Sequence, residues 1–101
     1  ELMNKCFLIG TIISDIKFSF TLNKKIVSMT IFYIKLLNQS IIKVYAFDDN
    51  ADYCYRKLEK DMSVFIEGKI ISFDNELVVA VENINAFNKE YKYLKGEKNC
   101  E

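Results

Sequence analysis

The segment Ile41–Phe47, Ile-Ile-Lys-Val-Tyr-Ala-Phe, alternates strictly. A β-strand sends successive side chains to opposite faces, so Ile42, Val44 and Ala46 share one side while Lys43, Tyr45 and Phe47 share the other. The first set suits a core. The second does not: a core has no use for an ammonium group, and a purely solvated face has little use for two large rings. A face that combines them suits a ligand that is both anionic and flat, and single-stranded nucleic acid is such a ligand.

The rest of the chain reads in the same way, as short runs of strand-forming residues with no proline. Strands are expected near Asn4–Ile13, Lys17–Phe20, Lys25–Leu37, Ser40–Phe47, Ser63–Phe73 and Glu76–Phe87, the second being a short continuation of the first. Turn chemistry separates them at Leu22-Asn23-Lys24, at Asn38-Gln39 and at Asp74-Asn75, the last a tight hairpin. One interruption, Asn50–Lys60, has helical spacing, with Tyr53, Lys57 and Lys60 set against Cys54 and Leu58, and Asp48-Asp49-Asn50 offers N-capping side chains before it. Three strands, a helix and two strands predict an all-β class: an OB-fold, a five-stranded Greek-key barrel with one short helix between strands three and four. Gly10 and Gly68, single glycines inside strand patterns, are expected at the bends or bulges that closing a small barrel requires. The domain is expected over 3–87. A polar tail, loosely ordered or a short helix, is expected over 88–101.

Composition narrows the function. A chain of 101 residues, half apolar and 28% charged, fits one globular domain, and so small a domain covers its apolar side chains well by closing a sheet or by forming a homo-oligomer. The 14 basic and 14 acidic residues cancel, which argues against a long duplex footprint while leaving room for a locally basic face. Asp48, Asp49, Asp52, Glu59 and Asp61 cluster in and around one segment, whereas Lys24, Lys25, Lys35, Lys43 and Lys69 fall on or beside expected strands. Cys6, Cys54 and Cys100 are widely spaced and odd in number, and read as reduced thiols of a cytoplasmic protein, the first two as small buried residues. No apolar run reaches membrane-spanning length and no export signal is legible, so no membrane partner is expected; Met3 is the expected natural start, and Glu1-Leu2 are set aside. With no His, no phosphate-cradling glycine loop and no nucleophile beside a base, neither an enzyme nor a metal or other cofactor is expected. Glu67-Gly68 reads as a barrel bend with a solvent-facing acid.

Three blocks resemble the bacterial single-stranded DNA-binding protein family. Met3-Asn4-Lys5-Cys6-Phe7-Leu8-Ile9-Gly10 is similar to that family's start, with Asp15 where the family keeps an acid. Val44-Tyr45-Ala46-Phe47 is similar to a strand end followed by a helix, here containing Tyr55-Arg56-Lys57-Leu58. Val64-Phe65-Ile66-Glu67-Gly68-Lys69 is similar to the fourth-strand motif. The resemblance spans about residues 3 to 87. Against it, the chain has no Trp, with Asn38 and Ile41 standing where the family prefers one, and its hairpins at Asn38-Gln39 and Asp74-Asn75 are shorter than the family's long loops. The chain also does not end in that family's acidic, Pro-Phe-tipped tail, so the resemblance implies a small, tail-less relative, similar to primosomal replication proteins or to accessory proteins of plasmids and phages.

That resemblance implies sequence-tolerant binding of single-stranded DNA, or of RNA, in replication, recombination or mobile-element transfer, on the exposed face of strands two, three and four. Strand parity then nominates Tyr33, Lys35, Lys43, Tyr45, Phe47, Lys69, Ile71 and Phe73, with Lys24 and Lys25 extending a phosphate track. Structural roles compete with each: Phe47 and Phe73 as seals of a barrel mouth, Tyr33 and Tyr45 as a cross-strand pair, Lys24 and Lys25 as a solvated turn, and Arg56, Lys57 and Lys60 as a solvated helix face. The resemblance also implies a homodimer or homotetramer assembled through the first strand, with Asn4, Cys6 and Leu8 at the interface. The alternative function is a protein-interaction or oligomerisation module of a replication or conjugation complex, with a helicase, primase or relaxase as partner and little nucleic-acid binding.

Overall fold

Strand β1 (Cys6–Ile12), β2 (Lys17–Asn23), β3 (Lys25–Leu36) and β4 (Ile41–Phe47) are followed by helix α1 (Asp48–Lys57), then by β5 (Ser63–Phe73) and β6 (Glu76–Phe87). This computed structural model describes residues 3–87, apart from the side chain of Asn23; the expected tail over 88–101 lies outside them. The strands pair in the order β1-β5-β6-β4-β3-β2, and a further pairing of β1 with β3, Gly10↔Leu36 to Ile12↔Ile34, joins the two sides into a ring. Five strands therefore close on themselves, with β4 and β6 parallel and the other neighbours antiparallel. The result is the expected all-β OB-fold barrel.

Alternation decides which side chains fill it. Ile12, Phe32, Ile34, Val44, Val64, Ile66, Val79 and Val81 point inward and are essentially inaccessible, and α1 adds Ala51, Cys54 and Leu58 to the same cluster, closing the barrel with a helical lid. Within this core the Thr30 hydroxyl donates to the Ala51 carbonyl at 2.9 Å, so this buried polar side chain has a partner. Burial pushes the Cys54 thiol up to about 12, which keeps it protonated and inert at neutral pH. Cys6 is half-buried rather than enclosed, and Cys100 lies outside the described residues.

Gly10 and Gly68 stand where another backbone comes too close for a side chain. A Cβ on Gly68 would come 2.4 Å from the Ala80 carbonyl oxygen, beside the register shift between Glu67 and Gly68. A Cβ on Gly10 would come 2.8 Å from the Lys35 carbonyl oxygen, at the start of the β1–β3 closure.

In two elements a boundary lies three residues from expectation, the others differing by two or fewer. The second strand runs on to Asn23, because Phe18, Phe20 and Leu22 keep the alternation and pairing with β3 continues to Asn23↔Lys25, leaving Lys24 with φ 70° to turn the chain. The helix starts at Asp48 and ends at Lys57; Phe47 precedes it without a side-chain cap. Asp48 and Asp49 lie in the first turn and Arg56 and Lys57 in the last, where their charges complement the helix dipole. The hairpin at Asp74-Asn75 is as tight as expected, with both residues at positive φ, 52° and 63°, between paired Phe73 and Glu76.

Candidate nucleic-acid interface

The outward face of β4 is not simply solvated. Tyr45 is 3% exposed and forms, with Met29 and Val78, a second apolar cluster outside the barrel, against which Ile31, Phe47, Ile71 and Phe73 pack. Parity explains the membership: Met29 and Ile31 alternate with the inward Thr30 and Phe32, and Val78 alternates with the inward Val79. Phe73, at the end of β5, brings its ring 4.7 Å from that of Tyr45 and 6.0 Å from that of Phe47, and Tyr45 and Phe47 are 6.1 Å apart. All three rings are tilted against one another by 31° to 44°, an offset packing that leaves Phe47 and Phe73 half-exposed at the rim while Tyr45 is covered.

Lys43 joins this cluster to Tyr33. Its ammonium lies 5.6 Å from the Tyr45 ring centroid and 6.0 Å from that of Tyr33, its direct partner across the strands. It also donates to a Glu76 carboxylate oxygen at 3.1 Å, and this bond holds the Lys43 pKa above its ordinary value. Glu76 is a participant that parity alone overlooked. The two-residue turn at Asp74-Asn75 places it opposite Phe73, and hence on the same face, so the hairpin register carried the signal.

An open groove of about 530 Å³ runs between the β2–β3 hairpin and this cluster, walled by Thr21, Leu22, Lys25, Val27, Phe47, Asp48, Ile71 and Phe73. A hollow of about 310 Å³ has Tyr33, Ile41, Lys43, Ile70 and Glu76 among its walls. Of the nominated residues, the structure thus gathers Tyr45, Phe47, Phe73 and Lys43, with Tyr33 beside Lys43 and Lys25 across the groove. Lys69 is half-buried opposite Ala80, exposed Lys35 sits opposite Ile41 and Thr11, and exposed Lys24 stands at the β2–β3 tip. Tyr33 and Tyr45 do not face each other directly: Tyr45 pairs with Ile31. Phe47 and Phe73 belong to the outer cluster rather than to the core at the helix-covered end.

The residues nominated for an oligomer interface have other surroundings. Cys6 and Leu8 turn inward and pack against the core, so the outward side chains of β1 are Phe7 and Ile9, which are 62% and 52% exposed. Asn4 pins the chain start to β5, donating to the Ile70 carbonyl at 2.9 Å and accepting from the Ile70 amide at 3.0 Å. Next to it Lys5 bridges Glu67 at 3.1 Å and Glu82 at 2.6 Å, which raises the Lys5 pKa and lowers that of Glu67. Among the described residues no cluster of His, Cys, Asp and Glu could hold a metal ion, and no helix is long and apolar enough to cross a membrane.

No protein-family model and no curated protein matches this chain. Solved structures do. The single-stranded DNA-binding (SSB) domain of a Synechococcus protein superposes with a TM-score of 0.74 at 14% identity, covering 84% of this chain and 97% of that one. The protein PriB from Ralstonia solanacearum gives 0.71 at 10% identity over 86% of this chain and 100% of its own. The second OB-fold domain of replication protein A from Methanococcus maripaludis gives 0.68 at 13% identity over 81% and 82%. At such identities the likeness is one of fold, and it agrees with the ring of strands: this chain is an OB-fold barrel of the shape found in SSB domains.

Proposed function

We propose that the outer face of β3, β4 and β5 binds single-stranded DNA without sequence preference, with RNA as a further ligand of the same kind. The observation that carries this reading is the groove whose floor offers the half-exposed rings of Phe47 and Phe73 and whose opposite wall carries Lys25. Rings in that position stack on bases, each stack being worth roughly 1–3 kcal/mol, while ammonium groups neutralise phosphates and make the affinity salt-dependent. Lys43, Lys35 and Lys69 on the same side, and Lys24 at the hairpin tip, supply further charge. Tyr45 has no free face and acts beneath the site, holding Phe47 and Phe73 apart and tilted. Tyr33, 38% exposed beside Lys43, offers an additional platform.

The burial of Tyr45 and the engagement of Lys43 by Glu76 favour a second reading, in which the same face meets a protein of a replication or conjugation complex. One titration separates them. Fluorescence anisotropy of labelled oligo(dT) at two salt concentrations is expected to show binding that weakens steeply as salt rises and falls when Phe47 is changed to Ala. Absence of binding at low salt would reject the nucleic-acid reading and leave the protein-partner one.

A further inference from the structure

Strand β2 is the last in the sheet order: β3 pairs with one of its edges, and no strand among the described residues pairs with the other. A free edge presents unpaired backbone donors and acceptors, and proteins usually protect such an edge with charge, proline or a bulge. Between Phe18 and Leu22, β2 has none of these, and its pairing with β3 runs without a register shift. The edge also comes with an apolar row. Phe20, Leu22 and, across the hairpin, Ile26 are 65%, 78% and 68% exposed. Leu22 and Ile26 are directly opposed, and the row continues through Phe18, whose ring is 5.4 Å from that of Phe20 and 5.1 Å from that of Tyr55 on α1. A hollow of about 480 Å³ over this row is walled by Phe20, Thr21, Leu22 and Ile26.

From this edge and row we infer that two copies of this chain associate through antiparallel pairing of their β2 strands, centred on Phe20. The sequence Lys17-Phe-Ser-Phe-Thr-Leu-Asn23 is complementary to itself in that register. Phe20 meets its counterpart, Phe18 meets Leu22, Ser19 meets Thr21 and Lys17 meets Asn23, so every apolar residue faces an apolar one and no like charges oppose. The ends agree in charge as well: the tip bearing exposed Lys24 and Lys25 comes beside the partner's exposed Asp15. The hollow over this row shares Thr21 and Leu22 with the lysine-bearing groove but has no cation in its own lining, and Phe20 and Ile26 border it alone.

Sedimentation velocity of the whole chain without nucleic acid, over a concentration series, tests the pairing. The expected species has twice the 11.8 kDa chain mass. Phe20→Lys places two ammonium groups face to face and is expected to weaken association at least roughly tenfold. Leu22→Lys, at a still more exposed position, is expected to do the same, and both variants are expected to keep the wild-type circular dichroism spectrum. Phe7→Lys, on the outward face of β1, is expected to leave the dimer intact. A wild-type chain that stays monomeric at its highest soluble concentration overturns the inference. So does a dimer that survives both β2 substitutions, or one that Phe7→Lys alone dissociates, which would move the contact to β1.

Discussion

The β2–β3 and β5–β6 hairpins both carry large apolar side chains and treat their phenylalanines differently. The β5–β6 hairpin lays Phe73 onto Tyr45 and Phe47, so its ring finds partners inside the chain. Near its tip the β2–β3 hairpin leaves Phe20, Leu22 and Ile26 more than 60% exposed, while Phe18 is tied down against Tyr55. Apolar area is stabilising only where it leaves water, so Phe73 contributes to the stability of the isolated barrel while Phe20, Leu22 and Ile26 contribute when something else covers them.

The largest expected effect follows from that contrast. Tyr45→Ala removes the covered ring from the centre of the outer cluster and is expected to cost about 3 kcal/mol of unfolding free energy, whereas Phe20→Ala in the isolated chain is expected to stay within about 0.5 kcal/mol. Urea unfolding of dilute protein measures both. A Tyr45→Ala variant as stable as Phe20→Ala would mean that the outer cluster does not hold the hairpin down.

Phe47→Ala and Phe73→Ala come next, since these rings have one side in the cluster and one side free. Each is expected to lower the affinity for oligo(dT) by roughly one stacking contact, 1–3 kcal/mol, while Phe20→Ala leaves it unchanged. Anisotropy titrations of the three variants at one salt concentration compare the two hairpins directly. Equal losses for Phe20 and Phe73 would join both hairpins in a single nucleic-acid surface and weaken the case for β2 as a protein contact.

How much of this was legible in the sequence depended on whether alternation alone decided the outcome. It did for β4: Val44 and Ala46 are core, and Lys43, Tyr45 and Phe47 lie outside the barrel. It did for the ring as a whole, because each strand needs one inward row and five such rows close around one core. Alternation could not reveal that Tyr45 would be covered, since Phe73 reaches it from a strand distant in sequence. Nor could it show that Glu76 would engage Lys43, which depends on the hairpin register. On β1 the same rule was available: Cys6 and Leu8 alternate with Phe7 and Ile9, and the inward pair is the one that touches the core. The expected interface residues rest on resemblance to a motif, which preserves position in the chain but says little about which face a side chain takes.

The smallest effects concern the Lys43–Glu76 pair, which separates charge from stacking within the site. Both partners are solvent-accessible, so breaking the pair should change stability little; binding is the informative readout. If Lys43 contacts a phosphate, Lys43→Ala is expected to reduce the slope of log affinity against log salt by about 0.7, the value for one phosphate contact on a single strand. Glu76→Gln is expected to act in the other direction, raising affinity at low salt because Lys43 no longer has to leave a carboxylate in order to meet the ligand. Glu76 raises the Lys43 pKa above its ordinary 10.5, so the ammonium is charged throughout the neutral range. The pair's contribution is therefore fully present below the unfolded value and is lost only as pH rises through the raised one. The wild-type salt slope is accordingly expected to be the same between about pH 6 and 9. A Lys43→Ala variant with an unaltered slope would show that Lys43 serves the ring cluster and not the ligand, and would shift the phosphate track toward Lys25, on the hairpin whose apolar row remains open.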